Sequence, residues 1–358
     1  MVEQREFGVA PDGSKASVFE LSAGAVRVRV SDFGATLLGI DAPDRTGATA
    51  DVLLGFASLD GYAGENGACY GATIGPVANR TDRAEVPLGG HVWHLPGNDG
   101  PNHRNNLHSD LARGLHKRHW KARVDEAESS VALSCCLADG ELGLPGNRLF
   151  TAGFSLAEAA DDAAELTVRY RCETDAPTYV NMTNHAYFNL AGHGSGNVLT
   201  QVVSIEADAF LPVREDSVSE GELRPVEGTP FDFRSPKPLG SNIDDDCEQL
   251  RRARGYDHCF CVRGFEPGGA PRQALHAEDP ASGRALDVLL TTPGAHLYTG
   301  NWLGDANAKD GASYSPRAGF AFEPEFYPDC VHHLDWPQSV CEPGRPYEIT
   351  VVYRLSVA

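Results

Sequence analysis

Asn181, Thr183, His185, Tyr187 and Asn189 occupy alternate positions, and their types are those of a surface that could handle hydroxyl groups. In a strand over 178–190 (TYVNMTNHAYFNL) they share one face, and Met182, Ala186, Phe188 and Leu190 share the other. Amides, hydroxyls and one imidazole supply neutral donors and acceptors with a single titratable group among them. A solvated strand face usually carries Lys and Glu; this one carries neither. The pattern suits a sugar.

Three other stretches place polar residues where strands or their ends could aim them together. In 75–80 (GPVANR), Asn79 and Arg80 follow a Gly-rich strand, and 105–108 (NNLH) ends at His108. In 320–329 (FAFEPEFYPD), period two sends Phe320 and Phe322 to a core and Glu323 to the opposite side. Asp257, by contrast, could either face a ligand or cap a turn after Gly255. The acidic run 244–246 lacks the glycine and terminal glutamate spacing of an EF-hand. His332 and His333 have no metal-ligand partners at useful spacing and read as loop. Neither a GxSxG elbow nor an HExxH pair occurs.

The elements that must position these groups are strands. In 165–173, Leu166, Val168, Tyr170 and Cys172 alternate with polar residues, and Ile349, Val351, Tyr353 and Leu355 do the same near the C-terminus. Similar alternation marks 26–30, 91–95, 131–137, 202–207 and 286–290, with Gly-, Pro- and Asn/Asp-rich connections between. One short helix is expected in 244–254. Many strands with long irregular loops predict an all-β sandwich, mostly antiparallel, as one domain over residues 1–358. Its broad sheet could let residues from distant strands converge.

Composition narrows the partners. Apolar residues make up 41% of the 358, which is globular, and no apolar run reaches a membrane span. A formal charge of −20 argues against nucleic acid and anionic membranes, which need a basic footprint. The N-terminus lacks a basic-then-apolar leader pattern, so a cytoplasmic protein is expected. Nine cysteines without a regular framework read as reduced, mostly buried thiols. The sequons at Asn79 and Asn181 then read as chance matches.

Taken together, the segments resemble the aldose 1-epimerase (galactose mutarotase) family over nearly the full length. The resemblance rests on Phe7-Gly8, 11–13 (PDG), 32–36 (DFGAT), 42–47 (APDRTG), 51–56 (DVLLGF) and 71–75 (GATIG). It continues through Asn79-Arg80, 106–108 (NLH), 183–190, 256–260 (YDHCF), Pro293-Gly294, 298–301 (YTGN), Glu323 and Pro328-Asp329. Each is weak alone; their order and spacing are specific. The resemblance implies a galactose-mutarotase-like β-supersandwich with few short helices and no metal or organic cofactor. It implies exchange of the α and β anomers of a free aldohexose. The matching positions make Glu323 the general base and His185 the general acid, with Arg80, His108 and Asp257 holding the sugar. Asn79, Tyr187 and His296 are nominated as further sugar-binding residues, and a monomer or weak homodimer is expected.

The chemistry fits those roles. Opening a cyclic hemiacetal needs a base at the anomeric hydroxyl and an acid at the ring oxygen, and each positioned transfer gives about 10²–10⁴-fold. Nearby Glu323, Glu325 and Asp257 are expected to favour the imidazolium of His185, lifting its titration above about 6.5. Four positions depart from the family pattern: Ser109-Asp110 where two glycines are common, and His296 and Glu325 where Gln is common. The alternatives are epimerisation of a hexose 6-phosphate, which needs extra Arg or Lys near C6, and a silent sugar-binding module.

Overall fold

The computed structural model describes residues 2–358. The alternation read in 165–173 and 349–355 belongs to two adjacent strands, Ala164–Thr174 and Tyr347–Val357. Leu166, Val168, Tyr170, Ile349, Val351 and Tyr353 are all buried on one face. These strands lie at the centre of a nine-stranded antiparallel sheet running from Lys121–Asp125 at one edge to Lys237–Pro238 at the other. A five-stranded sheet, Val2–Val9 to Thr49–Asp51, adds Phe19, Val28 and Val30 to the same core.

The sheet that matters for chemistry has six strands, ordered Tyr187–Phe188, Phe320–Glu325, Gly294–Tyr298, Asp257–Val262, Ala207–Phe210 and Arg224–Pro225. Its register sets Tyr187 opposite Ala321, His296 opposite Glu323, and Asp257 opposite Tyr298. Alternation then turns Phe188, Phe320, Phe322, Leu297 and Phe260 to the other face. That face packs into the core shared with Leu286, Val351 and Tyr353 of the large sheet. Phe188 and Tyr353 meet across it with ring centroids 5.3 Å apart. One face is thus committed to apolar packing, and the other is free for polar groups.

Two expectations change. The segment 178–190 is not one strand but three short ones, Thr178–Tyr179, Thr183–His185 and Tyr187–Phe188. They pair in turn with Val340–Cys341, Ala72–Ile74 and Phe320–Glu325. Every residue of 178–190 is buried, so neither face meets solvent. The expected helix shrinks to Glu248–Ala253, because Asp244 leaves to pair with Arg317 at 2.7 Å and Arg254 turns left-handed at φ 58°. His332 falls in a 3-10 turn, Cys330–His332, with Nδ1 2.6 Å from Asp329. All nine cysteines are free thiols, most of them buried. Among the described residues, no helix is long and apolar enough to cross a membrane.

Arg284 ties the sheets together. Buried on a central strand, it donates from Nε to the Ala42 carbonyl at 3.0 Å and from its terminal nitrogens to Leu190 at 3.1 Å and Ala48 at 3.0 Å. Arg284→Met would leave these carbonyls without a charged donor, so the expected loss of unfolding free energy is about 3 kcal/mol or more. Urea unfolding that registers less than about 1 kcal/mol would mean other donors replace it.

Candidate active site

Two turns deliver the first pair of groups. Asn79 and His108 both adopt left-handed backbone, φ 55° and 54°, a conformation that Asn tolerates and His enters less often. The turns are cross-tied: His108 N–H donates to the Asn79 carbonyl at 3.0 Å, and Asn79 N–H donates to His108 Nδ1 at 3.1 Å. Because Nδ1 accepts, the neutral His108 ring carries its proton on Nε2. Ser109, one of the departures, clips this turn down: its hydroxyl accepts from Val77 N–H at 2.8 Å and donates to the Val77 carbonyl at 3.0 Å. Asp110 is occupied by Arg113 and by the backbone N–H groups of Ala112 and Arg113. Both serve the loop itself.

Strands deliver the rest. The polar face of the six-stranded sheet, the neighbouring strand Thr183–His185 and the two turns close a cavity of about 580 Å³ lined by Asn79, Arg80, His108, His185, Tyr187, Asp257, His296 and Glu323. His185 Nε2 lies 3.5 Å from Glu323 Oε1, and both side chains are buried. The His185 ring stacks on Tyr187 at 4.9 Å and presents its edge to His108 at 5.4 Å. His296 Nε2 is 2.6 Å from Asp257 Oδ1, and its Nδ1 is 3.0 Å from Asn79 Nδ2. Arg80 Nε donates to Asp99 at 2.8 Å. Asp257 faces this cavity rather than capping a turn.

Of the five polar residues on the imagined strand face, only His185 and Tyr187 line the cavity. Asn181 is spent on backbone, accepting from Phe326 N–H at 2.9 Å and donating to its carbonyl at 3.0 Å. Asn189 donates to the carbonyls of Gly196 and Ala318 and accepts from Gln201. Thr183 is buried. Conversely, Tyr298, Trp302, Asp305 and Arg252 line the cavity and were not nominated. Tyr298 was legible, since it alternates with His296 in one strand; the other three come from segments whose approach depends on the whole chain path.

Burial governs the titrations. It pushes His185 down to about 3, so the expectation that neighbouring carboxylates hold it as an imidazolium is corrected. Burial, with the nearby His185, also takes His108 well below the usual histidine range. Glu323 is driven well above the usual carboxylate range by burial, with the opposing pull of His296 insufficient to restore it. His296 behaves in the opposite way: although burial opposes its charge, hydrogen bonds to Asp257 and Glu325 lift it to about 10. Asp257 ends below its usual range despite burial, because His296 holds it there.

A sandwich of this topology, with a buried carboxyl and a buried imidazole side by side in one polar cavity, defines the class of fold and site. The aldose 1-epimerase family model matches residues 17–354. Galactose mutarotase of Homo sapiens is 38% identical over 359 residues, covering 100% of this chain and 99% of its own. Aldose 1-epimerase of Escherichia coli is 35% identical over 351 residues, 97% of each chain. Among solved structures, the aldose epimerase homologue from C. elegans superposes with a TM-score of 0.85 at 27% identity, covering 96% of this chain and 99% of that one. Galactose 1-epimerase from Lactobacillus acidophilus, at 23% identity and full coverage of both chains, gives 0.83 and speaks to the fold alone. The protein is an isomerase with the galactose-mutarotase fold. It belongs to the aldose 1-epimerase family.

The electrostatic reading has a direct test in the sugar-free protein. With folded values of about 3 for His185 and His258 and about 4 for His116, these rings are expected to stay neutral from pH 8 down to 5. Imidazole NMR that finds His185 titrating near 6.5 would show that burial does not dominate at this site.

Proposed function

We propose that the protein interconverts the α and β anomers of a free aldohexose such as galactose or glucose, with Glu323 as base and His185 as acid. The observation that carries this reading is the buried carboxylate–imidazole pair, 3.5 Å apart, on the wall of a polar cavity. The Glu323 carboxylate takes the proton from the anomeric hydroxyl while protonated His185 gives its proton to the ring oxygen. The electrons of the O1–H bond form the C1 carbonyl, those of the C1–O5 bond go to the ring oxygen, and the ring opens. Rotation about C1–C2 presents the other carbonyl face. Closure returns both protons with the roles reversed, so the enzyme ends in its starting state.

The pair needs one ionised and one protonated member. In the empty cavity, burial favours a proton on Glu323 and a neutral His185. Sugar hydroxyls supply hydrogen bonds that favour the charged alternative, Glu323 carboxylate and His185 imidazolium. His108, donating from Nε2, and the Arg80 guanidinium stabilise charge as it develops on the ring oxygen. Asn79, Asp257 and His296 bind hydroxyls, and Tyr187 backs the His185 ring. The steps are proton transfers alone and call for no cofactor. A single domain acting as a monomer or weak homodimer in the cytoplasm accommodates them.

A hexose 6-phosphate fits poorly. The two arginines that line the cavity are already paired, Arg80 with Asp99 at 2.8 Å and Arg252 with Glu248 at 2.8 Å and with Glu220. A binding module needs no buried acid–base pair, whose burial costs stability that catalysis would justify.

Glu323→Gln keeps the shape of the side chain and removes the base, so kcat should fall by about 10²-fold or more while sugar affinity changes far less. His185→Gln should behave alike, and the double variant should be little worse than either single one, because acid and base act in one step. Polarimetry with spontaneous mutarotation subtracted measures this. Near wild-type rates in both single variants would mean the pair is misassigned.

A further inference from the structure

His296 stands among three carboxylates. Its Nε2 is 2.6 Å from Asp257 Oδ1, its Nδ1 is 3.5 Å from Glu325 Oε1 and 3.0 Å from the Asn79 amide Nδ2, and across the strand pair it lies directly opposite Glu323. Directly opposed residues on one sheet face have Cβ atoms about 4.5–5.5 Å apart, so the ring and the Glu323 carboxyl leave the sheet side by side without forming an ion pair. His296 is 5% exposed and Glu325 is fully buried, which removes the water that would otherwise screen them. Glu325 lies two residues beyond Glu323 on the same strand face but does not line the cavity. Its Oε1 accepts from Asn79 Nδ2 at 3.3 Å, while its Oε2 has no partner. A buried carboxylate that neither reaches the cavity nor satisfies its own oxygens stabilises little by itself. Its position makes sense through the ring beside it.

We propose that His296 is a fixed imidazolium clamped between Asp257 and Glu325, and that its charge offsets part of the burial cost of the Glu323 carboxylate, so that Glu323 can ionise to accept a proton. Glu325 is a positioning residue that acts through His296. The inference rests on the reading of Glu323 as base.

The surroundings leave His296 as the main source of this charge. From its own strand comes Tyr298; from the strand Asp257–Val262, Asp257 and Cys259; from the strand Phe320–Glu325, Glu323 and Glu325. The turn at Asn79 adds Arg80, which is already bonded to Asp99. His185 and His108 face the same space and are kept uncharged by burial. Beneath Glu325, the buried Tyr179, Tyr347 and Cys330 bring no positive charge. His296 is the foremost influence pulling Glu323 toward ionisation, and Glu325 pushes it the other way. The two substitutions therefore have opposite signs at Glu323.

Two measurements test the proposal. Imidazole NMR of the intact wild-type protein should show His296 doubly protonated at pH 7 and still charged at pH 8; a neutral ring at pH 7 would overturn the proposal with no variant needed. In kcat/KM against pH, His296→Gln should move the acid limb up by about one unit or more, a tenfold or larger loss at a pH on that limb. Glu325→Gln should lower the His296 titration by NMR. The double variant should place the acid limb between wild type and His296→Gln, because it removes the repelling carboxylate together with the cation. An acid limb unmoved in His296→Gln, with Glu323→Gln inactive, overturns this inference and leaves the base assignment standing. An active Glu323→Gln overturns the base assignment instead.

Discussion

Burying the Glu323 carboxyl on the wall of a polar cavity is the constraint on which the architecture turns. Glu323 is 3% exposed, and an isolated charge in such a place is costly. The strand Phe320–Glu325 resolves this by dividing its two faces. Phe320 and Phe322 anchor it in the core against the nine-stranded sheet, while Glu323 and Glu325 project from the other side. Cross-strand pairing then brings His296 to Glu323 and Tyr298 beside Asp257. Apolar packing on one face fixes the spacing of charges on the other. The placing of Glu323, His296 and Asp257 is therefore set by a register, and a slip of one residue would exchange the two faces.

Around that strand, buried polar side chains hold backbone rather than substrate. Asn181 grips both backbone groups of Phe326, fixing the end of the strand just beyond Glu325. Tyr347 reaches from the large sheet to accept from Met182 N–H at 2.9 Å, three residues before His185. Gln201 and Asn189 close a further network beside the strand Tyr187–Phe188. Such satisfied networks make the position of an imidazole as definite as that of a core side chain. That preorganisation matters because the transition state has little time or freedom to recruit its own partners.

Regular alternation made the fold legible. The long strands of the nine-stranded sheet and the aromatic side of 320–325 could be read from residue order, whereas the grouping of His185, Glu323, His108 and Arg80 followed from the family resemblance. What escaped notice follows from chain geometry. The run 178–190 carries a period of two but changes partner twice, so polar residues that alternate in sequence go to different neighbours. Asn181 and Asn189 look like sugar ligands and are backbone clamps for that reason. Trp302, 60% exposed at the cavity with the Arg254 guanidinium 3.9 Å above its ring, sits in a loop that no periodicity marks. The protonation of His185 was misjudged because counting nearby carboxylates omits burial, which only the packed structure reveals.

The histidines show how far packing outweighs residue type. His258 points into the aromatic core beside the stacked rings of Phe210 and Phe231, accepts from Asp257 N–H through Nδ1 and meets Gln249 through Nε2. A second ring proton would have to displace that backbone donor, so this ring stays neutral. His108 is held in the same way by Asn79 N–H. His185 meets a carboxyl on one side and aromatic rings on others, and burial prevails. His296, one strand away from Glu323, meets Asp257 through Nε2 and both Glu325 and the Asn79 amide through Nδ1, with no backbone donor, and it alone of the four is driven upward. The same side chain is thus driven down at three positions and up at a fourth around one site. The direction each ring takes follows from its burial weighed against the groups its nitrogens meet, and the strand register and turn conformations decide both.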